Sequence, residues 1–235
     1  MTELVGLFSG GKDSLVACLV ASVKEVIYCR TGVGLNEEYV KRICEKFEWK
    51  LNIVEPKNRE YEKFCMRYGF PRPTSHSWVM QRLKLNPIGK WYRQEKKKGR
   101  DITLVSGIRT AESKRRAMKF PTDGGVEAQG MKFFRPIRTW SNQKVEDYIK
   151  EHGLEISPIY ATLGLGGDCL CGAFTKRQHG KLLLEHYPEF AKRIKELETT
   201  CRGHWGQFAS VTACEKQGGI EDFICSECMV QTSQV

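Results

Sequence analysis

Six consecutive residues near the start of the chain, Ser9-Gly10-Gly11-Lys12-Asp13-Ser14, carry the groups needed to hold and split a polyphosphate. Two adjacent glycines let backbone amides approach phosphate oxygens, and Lys12 supplies a mobile positive charge. Ser9 and Ser14 can donate hydroxyl hydrogen bonds. The apolar run Leu4–Phe8 precedes these residues and Leu15–Ala21 follows them. They therefore read as a turn between a buried strand and a helix N-terminus, where the positive end of the helix dipole favours an anion. The spacing of Gly6, Gly11 and Lys12 nearly reproduces the phosphate-binding pattern GxxxxGK[ST], but Asp13 stands where Ser or Thr would hold magnesium. An acid at that place orients either a metal or the loop itself.

A second stretch with chemical content runs Gly107-Ile108-Arg109-Thr110-Ala111-Glu112-Ser113-Lys114-Arg115-Arg116. Three arginines and a lysine around a Glu-Ser pair can hold phosphate or sulfate groups bidentately. Taken alone, it reads first as a basic loop entering a helix. The third stretch is a set of thiols. Cys169-Leu170-Cys171 and Cys225-Ser226-Glu227-Cys228 are two close pairs among ten cysteines. Four thiolates in two pairs suit tetrahedral zinc or a [4Fe–4S] cluster, with Cys201, Cys214, His179 and His204 as further candidate ligands.

These groups need elements to position them. Glu25–Cys29, Leu51–Val54 and Ile102–Ser106 read as strands, and a helix with apolar period spans Leu35–Trp49. Strands alternating with helices predict βαβ crossovers and a doubly wound, mostly parallel sheet, an α/β architecture. The turn at Ser9–Ser14 and the stretch from Gly107 both leave strand ends, so both face the rim where such sheets bind ligands. Further helices are expected over Asn58–Tyr68 and over Trp78–Arg100, where Pro87 interrupts the second or starts a new one. A hairpin is expected around Gly130, a helix capped by Ser141 runs through Glu151, and one amphipathic helix covers residues 176–198. The chain divides into an α/β domain over 1–160 and a cysteine-rich helical appendage over 161–235.

The composition fits an ordinary soluble protein, with 40% hydrophobic and 28% charged residues. No run of 18 apolar residues occurs and no signal peptide is recognisable, so a cytoplasmic protein without membrane contact is expected. The net charge of +10 suits an anionic partner: a nucleotide, and nucleic acid as a further candidate. Gln94–Arg100 reads first as a solvated basic turn.

Taken together, the stretches resemble the phosphoadenosine-phosphosulfate (PAPS) reductase family of the PP-loop ATP pyrophosphatase superfamily. Ser9–Ser14 match its SGGxDS loop, and Gly107-Ile108-Arg109, Glu112-Ser113 and Arg116 match its GIRxxESxxR element. Arg135-Pro136-Ile137, Trp140, Val145, Tyr148-Ile149, Ser157-Pro158-Ile159-Tyr160, Gly167 and Cys169 resemble its later stretch. There are departures. Lys12 is present, as in members that bind ATP, whereas true sulfonucleotide reductases usually lack it. Val79–Ile88 holds none of the adjacent cysteines of cluster-binding reductases, and the Glu-Cys-Gly-x-His tail that carries the reductases' catalytic thiol is missing. Arg30 replaces the acid of the family's aspartate-threonine-glycine turn, and the first cysteine pair is one residue shorter than the family's CxxC.

The resemblance implies a Rossmann-like PP-loop fold. It implies ATP and Mg2+ as ligands, with Ser9, Gly10, Gly11, Lys12, Asp13, Ser14, Gly107, Arg109, Glu112, Ser113 and Arg116 around the nucleotide. Lys12, Asp13 and Arg109 are the expected catalytic residues, and Cys169, Cys171, Cys225 and Cys228 the expected ligands of a [4Fe–4S] cluster, with zinc as the alternative. The expected reaction adenylylates an acceptor and releases pyrophosphate, for sulfur insertion into tRNA or DNA. The expected partners are that acceptor, a sulfur-donor protein such as a cysteine desulfurase, and a second copy of the chain. Two other readings are a reductase that forms sulfite from phosphoadenosine or adenosine phosphosulfate, and an inert nucleotide- or nucleic-acid-binding module with structural zinc.

Overall fold

The computed structural model describes residues 2–57, 60–126, 130–165, 170–175, 177–201 and 203–205. Strands β1 (Glu3–Leu7), β2 (Glu25–Cys29), β3 (Lys50–Val54) and β4 (Ile102–Val105) alternate with helices in the expected βαβ manner. Helix α1 (Lys12–Val20) links β1 to β2, and α2 (Glu37–Lys46) links β2 to β3. Between β3 and β4 lie α3 (Glu60–Tyr68), α4 (His76–Met80), a π-helical turn at Gln81–Leu85 and α5 (Asn86–Lys97). Pro87 sits in the first turn of α5, directly after the π-helical turn, and the helical run from His76 to Lys97 changes from π to α there without a break.

After β4 come α6 (Lys114–Lys119) and the antiparallel pair β5 (Gly124–Val126) and β6 (Lys132–Phe134), the hairpin expected around Gly130. Helix α7 (Asn142–Glu151) begins at Ser141, whose hydroxyl accepts from the Lys144 amide. Helix α8 (Pro158–Leu163) is capped in the same way by Ser157. The single helix expected over 176–198 is two, α9 (Arg177–His186) and α10 (Pro188–Thr200). Pro188 cannot continue a helix but can open one, so the amphipathic period runs on across a break.

The six strands form one sheet in the order β3-β2-β1-β4-β6-β5, parallel except for the β5–β6 pair. This is the expected doubly wound α/β fold. The chain winds outward from β1 through β2 to β3, then crosses to place β4 on the other side of β1. The loops after β1 and β4 therefore diverge at the switch point of the sheet, where a crevice for ligand opens. Both faces are covered, as a parallel sheet requires. Leu15, Val16, Val40, Ile43 and Val145 pack one face, and Ile88 and Tyr92 of α5 pack the other.

The chain packs as two compact units, Met1–Tyr61 with Trp78–Cys169, and Glu62–Ser77 with Leu170–Val235. The described part of the second unit has its own core, including Phe64, Leu183, Phe190, Ile194 and Trp205. Trp205 meets Phe190 edge-on at 6.3 Å, and its indole N–H donates to the Leu170 carbonyl at 2.9 Å. Among the described residues no helix is long and apolar enough to cross a membrane.

Candidate active site

The turn after β1 is built for close approach. Gly10 has φ +80°, and a Cβ there would lie 2.8 Å from the Asn36 side chain. Any other residue would be both strained and blocked. Gly11 is the N-cap of α1, and the first intrahelical bond runs from the Leu15 amide to the Gly11 carbonyl at 3.0 Å. The amides of Lys12, Asp13 and Ser14 thus precede the helical ladder and have no acceptor within it. The Ser14 hydroxyl donates to the Gly11 carbonyl at 2.8 Å and accepts from the Ser9 amide at 3.3 Å, which closes the bend on itself.

The stretch after β4 touches this bend. A Cβ on Gly107 would stand 2.6 Å from the Asp13 backbone, so only glycine allows the two loops to meet. Arg109 follows and is 2% exposed. Its Nε and Nη2 grip the two oxygens of Asp13 at 3.1 and 3.2 Å, while Nη1 donates to the Trp140 carbonyl at 3.3 Å and to Asn142 Oδ1 at 2.8 Å. Every nitrogen of this guanidinium is engaged within the protein. The rest of the motif supports it locally. Glu112 accepts from the Arg109 amide at 3.3 Å and pairs with Arg116, and the Ser113 hydroxyl accepts from the Arg116 amide at 3.2 Å. Burial pushes the Arg116 guanidinium below its usual range, the Asp13 charge opposes this and Arg109 adds to it.

Lys12 is the second cation at the bend, with its side chain 13% exposed. Its Nζ lies 3.1 Å from Glu146 Oε1 on α7 and 5.0 Å from the centre of the Tyr160 ring on α8. Burial alone would lower its pKa, but the interactions with Tyr160 and Glu146 outweigh burial and leave it above the ordinary lysine value.

Four supporting residues were not visible to sequence reasoning. Asn36, 1% exposed, donates to the Ser9 carbonyl at 3.3 Å and accepts from the Ser157 hydroxyl, so it ties the bend to the start of α8. Glu146, Asn142 and Tyr160 complete the set. Their signal was weak because each is separated from its partner by 27 to 148 positions of chain; Tyr160 alone stands in a motif, Ser157–Tyr160, with nothing there to pair it with Lys12. Arg30, at the place of the family's acid, makes two bonds of 2.6 Å to Glu37 and one of 3.2 Å to Glu55. Its hydrogen bonds hold the Glu37 carboxyl down at about 2.

Of the expected cluster ligands, Cys171 is buried in the second unit. Cys169, Cys225 and Cys228 lie outside the described residues, as does Cys214. Among the described residues no group of three His, Cys, Asp or Glu side chains is placed to hold a metal. His179 is buried, and His204 stands 4.0 Å from Glu198. The Cys201 thiol is pushed up by burial and by Glu198.

The chain is 26% identical over 160 residues to an uncharacterized protein of Methanocaldococcus jannaschii, a match covering 65% of this chain and 37% of that one. It is 22% identical over 192 residues to an uncharacterized 37.8 kDa protein of Escherichia phage 186, covering 81% and 54%. The matches thus span between about a third and a half of the relatives' length. Among solved structures, PAPS reductase from Candida auris superposes with a TM-score of 0.51 at 20% identity, over 72% of this chain and 82% of that one. The U34-tRNA thiolase NcsA from Methanococcus maripaludis, solved with its [4Fe–4S] cluster, gives 0.50 at 15% identity, over 85% and 72%. At these identities the two structures establish the shared fold. The model of the phosphoadenosine phosphosulfate reductase domain matches residues 3–167, and the chain belongs to that family.

Proposed function

We propose that the chain is an ATP pyrophosphatase that adenylylates an oxygen of a nucleic-acid acceptor and so prepares it for sulfur insertion. The observation that carries the reading is the Gly10–Ser14 bend, with unladdered amides at the start of α1 and Lys12 as a relocatable cation beside them. The amides and Lys12 bind the β and γ phosphates. The acceptor oxygen attacks the α-phosphorus, a new P–O bond forms, and the bond to the β-phosphate breaks to release pyrophosphate. The sulfur nucleophile then attacks the atom that bears the adenylylated oxygen, carbon in a tRNA base or phosphorus in a DNA backbone, and the C–O or P–O bond breaks to release AMP. Lys12 offsets charge on the departing pyrophosphate, a preorganised electrostatic contribution. Arg109 acts through Asp13, because its nitrogens are already committed. Magnesium, when bound, neutralises phosphate charge. Asp13 fits that role, since each of its oxygens accepts one bond from Arg109 and keeps a second lone pair.

The net charge of +10 supports tRNA or DNA as the acceptor, and the fold shared with a tRNA thiolase supports sulfur chemistry as the purpose. Cys169, Cys171, Cys225 and Cys228 remain the proposed ligands of a [4Fe–4S] cluster, with zinc as the alternative; iron and labile-sulfide analysis of anaerobically purified protein separates the two. A desulfurase-type protein would deliver the sulfur. The test is incubation with ATP, magnesium and tRNA or DNA. Pyrophosphate release is expected, with a loss of about 10²- to 10³-fold in Lys12→Ala. Equal turnover in both proteins would remove the mechanism.

A second reading, reduction of a sulfonucleotide to sulfite, is favoured by the family match itself. Sulfite produced from phosphoadenosine phosphosulfate with thioredoxin, without pyrophosphate release from ATP, would select it.

A further inference from the structure

We infer that Glu146 is the resting partner of Lys12 and turns anion binding at the glycine bend into an exchange, in which the incoming polyphosphate displaces the Glu146 carboxylate from the Lys12 ammonium. The inference deepens the proposed function and rests on its reading that the bend holds a polyphosphate. Glu146 lies 134 positions from Lys12, outside both loop motifs, and reaches it at 3.1 Å from α7.

The two acid–base pairs of the site differ in what they allow. Asp13 is fixed by two parallel bonds from a buried guanidinium, and neither partner can turn away without leaving unpaired charge. Lys12 instead ends in a compact charge on a flexible stem that is free to swing. Its side chain is 13% exposed and that of Glu146 is 47% exposed, so a released Glu146 carboxylate returns to water at little cost. The Tyr160 ring offers the ammonium a second favourable contact at 5.0 Å, which keeps the lysine near the bend while partners change.

The exchange has a consequence for selectivity. Val145, beside Glu146, is fully buried against α1, so α7 holds the carboxylate close at all times. A tethered competitor acts at an effective concentration on the order of millimolar. A small anion that makes contact with Lys12 alone competes poorly with it. A chain of phosphates that also takes the free amides of Lys12, Asp13 and Ser14 prevails. Glu146 is thus a positioning residue that selects polyphosphate over orthophosphate.

The test compares the full chain with Glu146→Gln by two measurements. Lys12 is acylated with limiting acetic anhydride and quantified by mass spectrometry against exposed Lys24 as internal reference. Inorganic pyrophosphate binding is measured by calorimetry. Removing the carboxylate should speed Lys12 acylation and tighten pyrophosphate binding, each about two- to fivefold. Unchanged acylation would overturn the inference while leaving the polyphosphate reading intact. Faster acylation with weaker pyrophosphate binding would also overturn it, because Glu146 would then assist the anion. If neither protein binds pyrophosphate although acylation responds, the reading of the bend itself falls, and the exchange with it.

Discussion

Two arginines, nine residues apart in sequence, sit at opposite rims of the sheet and do different work. Arg109, after the carboxyl end of β4, is buried and faces one carboxylate, Asp13, with neutral oxygens taking its remaining donors. Arg100, just before β4, has a side chain 20% exposed and gathers three carboxylates, with Glu3 at 2.6 Å, Glu25 at 2.7 Å and Glu95 at 2.7 Å. Lys98 and Lys50 extend that cluster. It joins the amino ends of β1 and β2 to the end of α5, and its three carboxylates and three cations satisfy one another. At the other rim Asp13 faces one buried guanidinium, and Lys12 has a single carboxylate partner among the described residues, Glu146, whose side chain is 47% exposed. A cluster of several charges that bind one another is a rivet, whereas one buried pair beside a cation with a single half-exposed partner suits a site.

The largest expected difference between the rims is in the cost of losing the arginine. Arg109→Ala leaves Asp13 facing an emptied buried space, and should cost about 3 kcal/mol in urea unfolding and abolish pyrophosphate binding. Arg109→Lys should recover only part of this, since an ammonium cannot bridge both carboxylate oxygens. Arg100→Ala should cost about 1–2 kcal/mol, because water reaches its partners, and should leave binding intact. Equal costs, or a binding defect only in Arg100→Ala, would dissolve the distinction between site and rivet.

A pair of asparagines sharpens the comparison at smaller scale. Asn36 holds Ser9 and Ser157 at the carboxyl rim, and Asn52 holds Glu25 at 2.8 Å and the Val26 carbonyl at 3.2 Å at the other. Asn36→Ala leaves buried groups unsatisfied and should lose about 1–3 kcal/mol together with several-fold in pyrophosphate affinity. Asn52→Ala should lose less stability and no affinity. Calorimetric titration of the two variants side by side decides it, and an affinity loss in Asn52→Ala alone would sink the assignment.

How much of this the sequence revealed follows from the range of the interactions. The sheet was legible because apolar strands and amphipathic helices alternate locally, and the bend because its six residues are consecutive. The break at Tyr187–Pro188 was missed because apolar periodicity continues on both sides of a proline that starts a helix. Arg109 illustrates a deeper limit: its charge and motif were plain, but whether a guanidinium faces a ligand or an internal acid depends on Asp13, Trp140 and Asn142 meeting in space. Asn36 and Glu146 carry no local pattern at all. Both act across the chain, one from the start of α2 and one from the middle of α7.

The smallest expected effect is on the acid limb of stability, and it again separates the rims. Bonds from Arg100 hold the Glu3 carboxyl below its ordinary range. For Glu95, bonds from Lys98 and then Arg100 do the same. Burial pushes Glu25 upward, but bonds from Arg100 and Asn52 outweigh it and the net shift is downward. With folded values depressed, the unfolded chain binds more protons in this range, so stability rises with pH there. The contribution is complete above the unfolded glutamate value of about 4.3 and is lost as pH falls through the folded values. Urea midpoints measured from pH 7 down to pH 3 should therefore fall more steeply in the wild type than in Arg100→Ala, whose glutamates have lost their common partner. In that variant Glu95 keeps its bond from Lys98, Glu25 keeps Asn52, and Glu37 is still held at about 2 by Arg30, so part of the acid-limb loss persists. Parallel curves for the two proteins would show that the rivet at the amino rim contributes nothing that protons can remove.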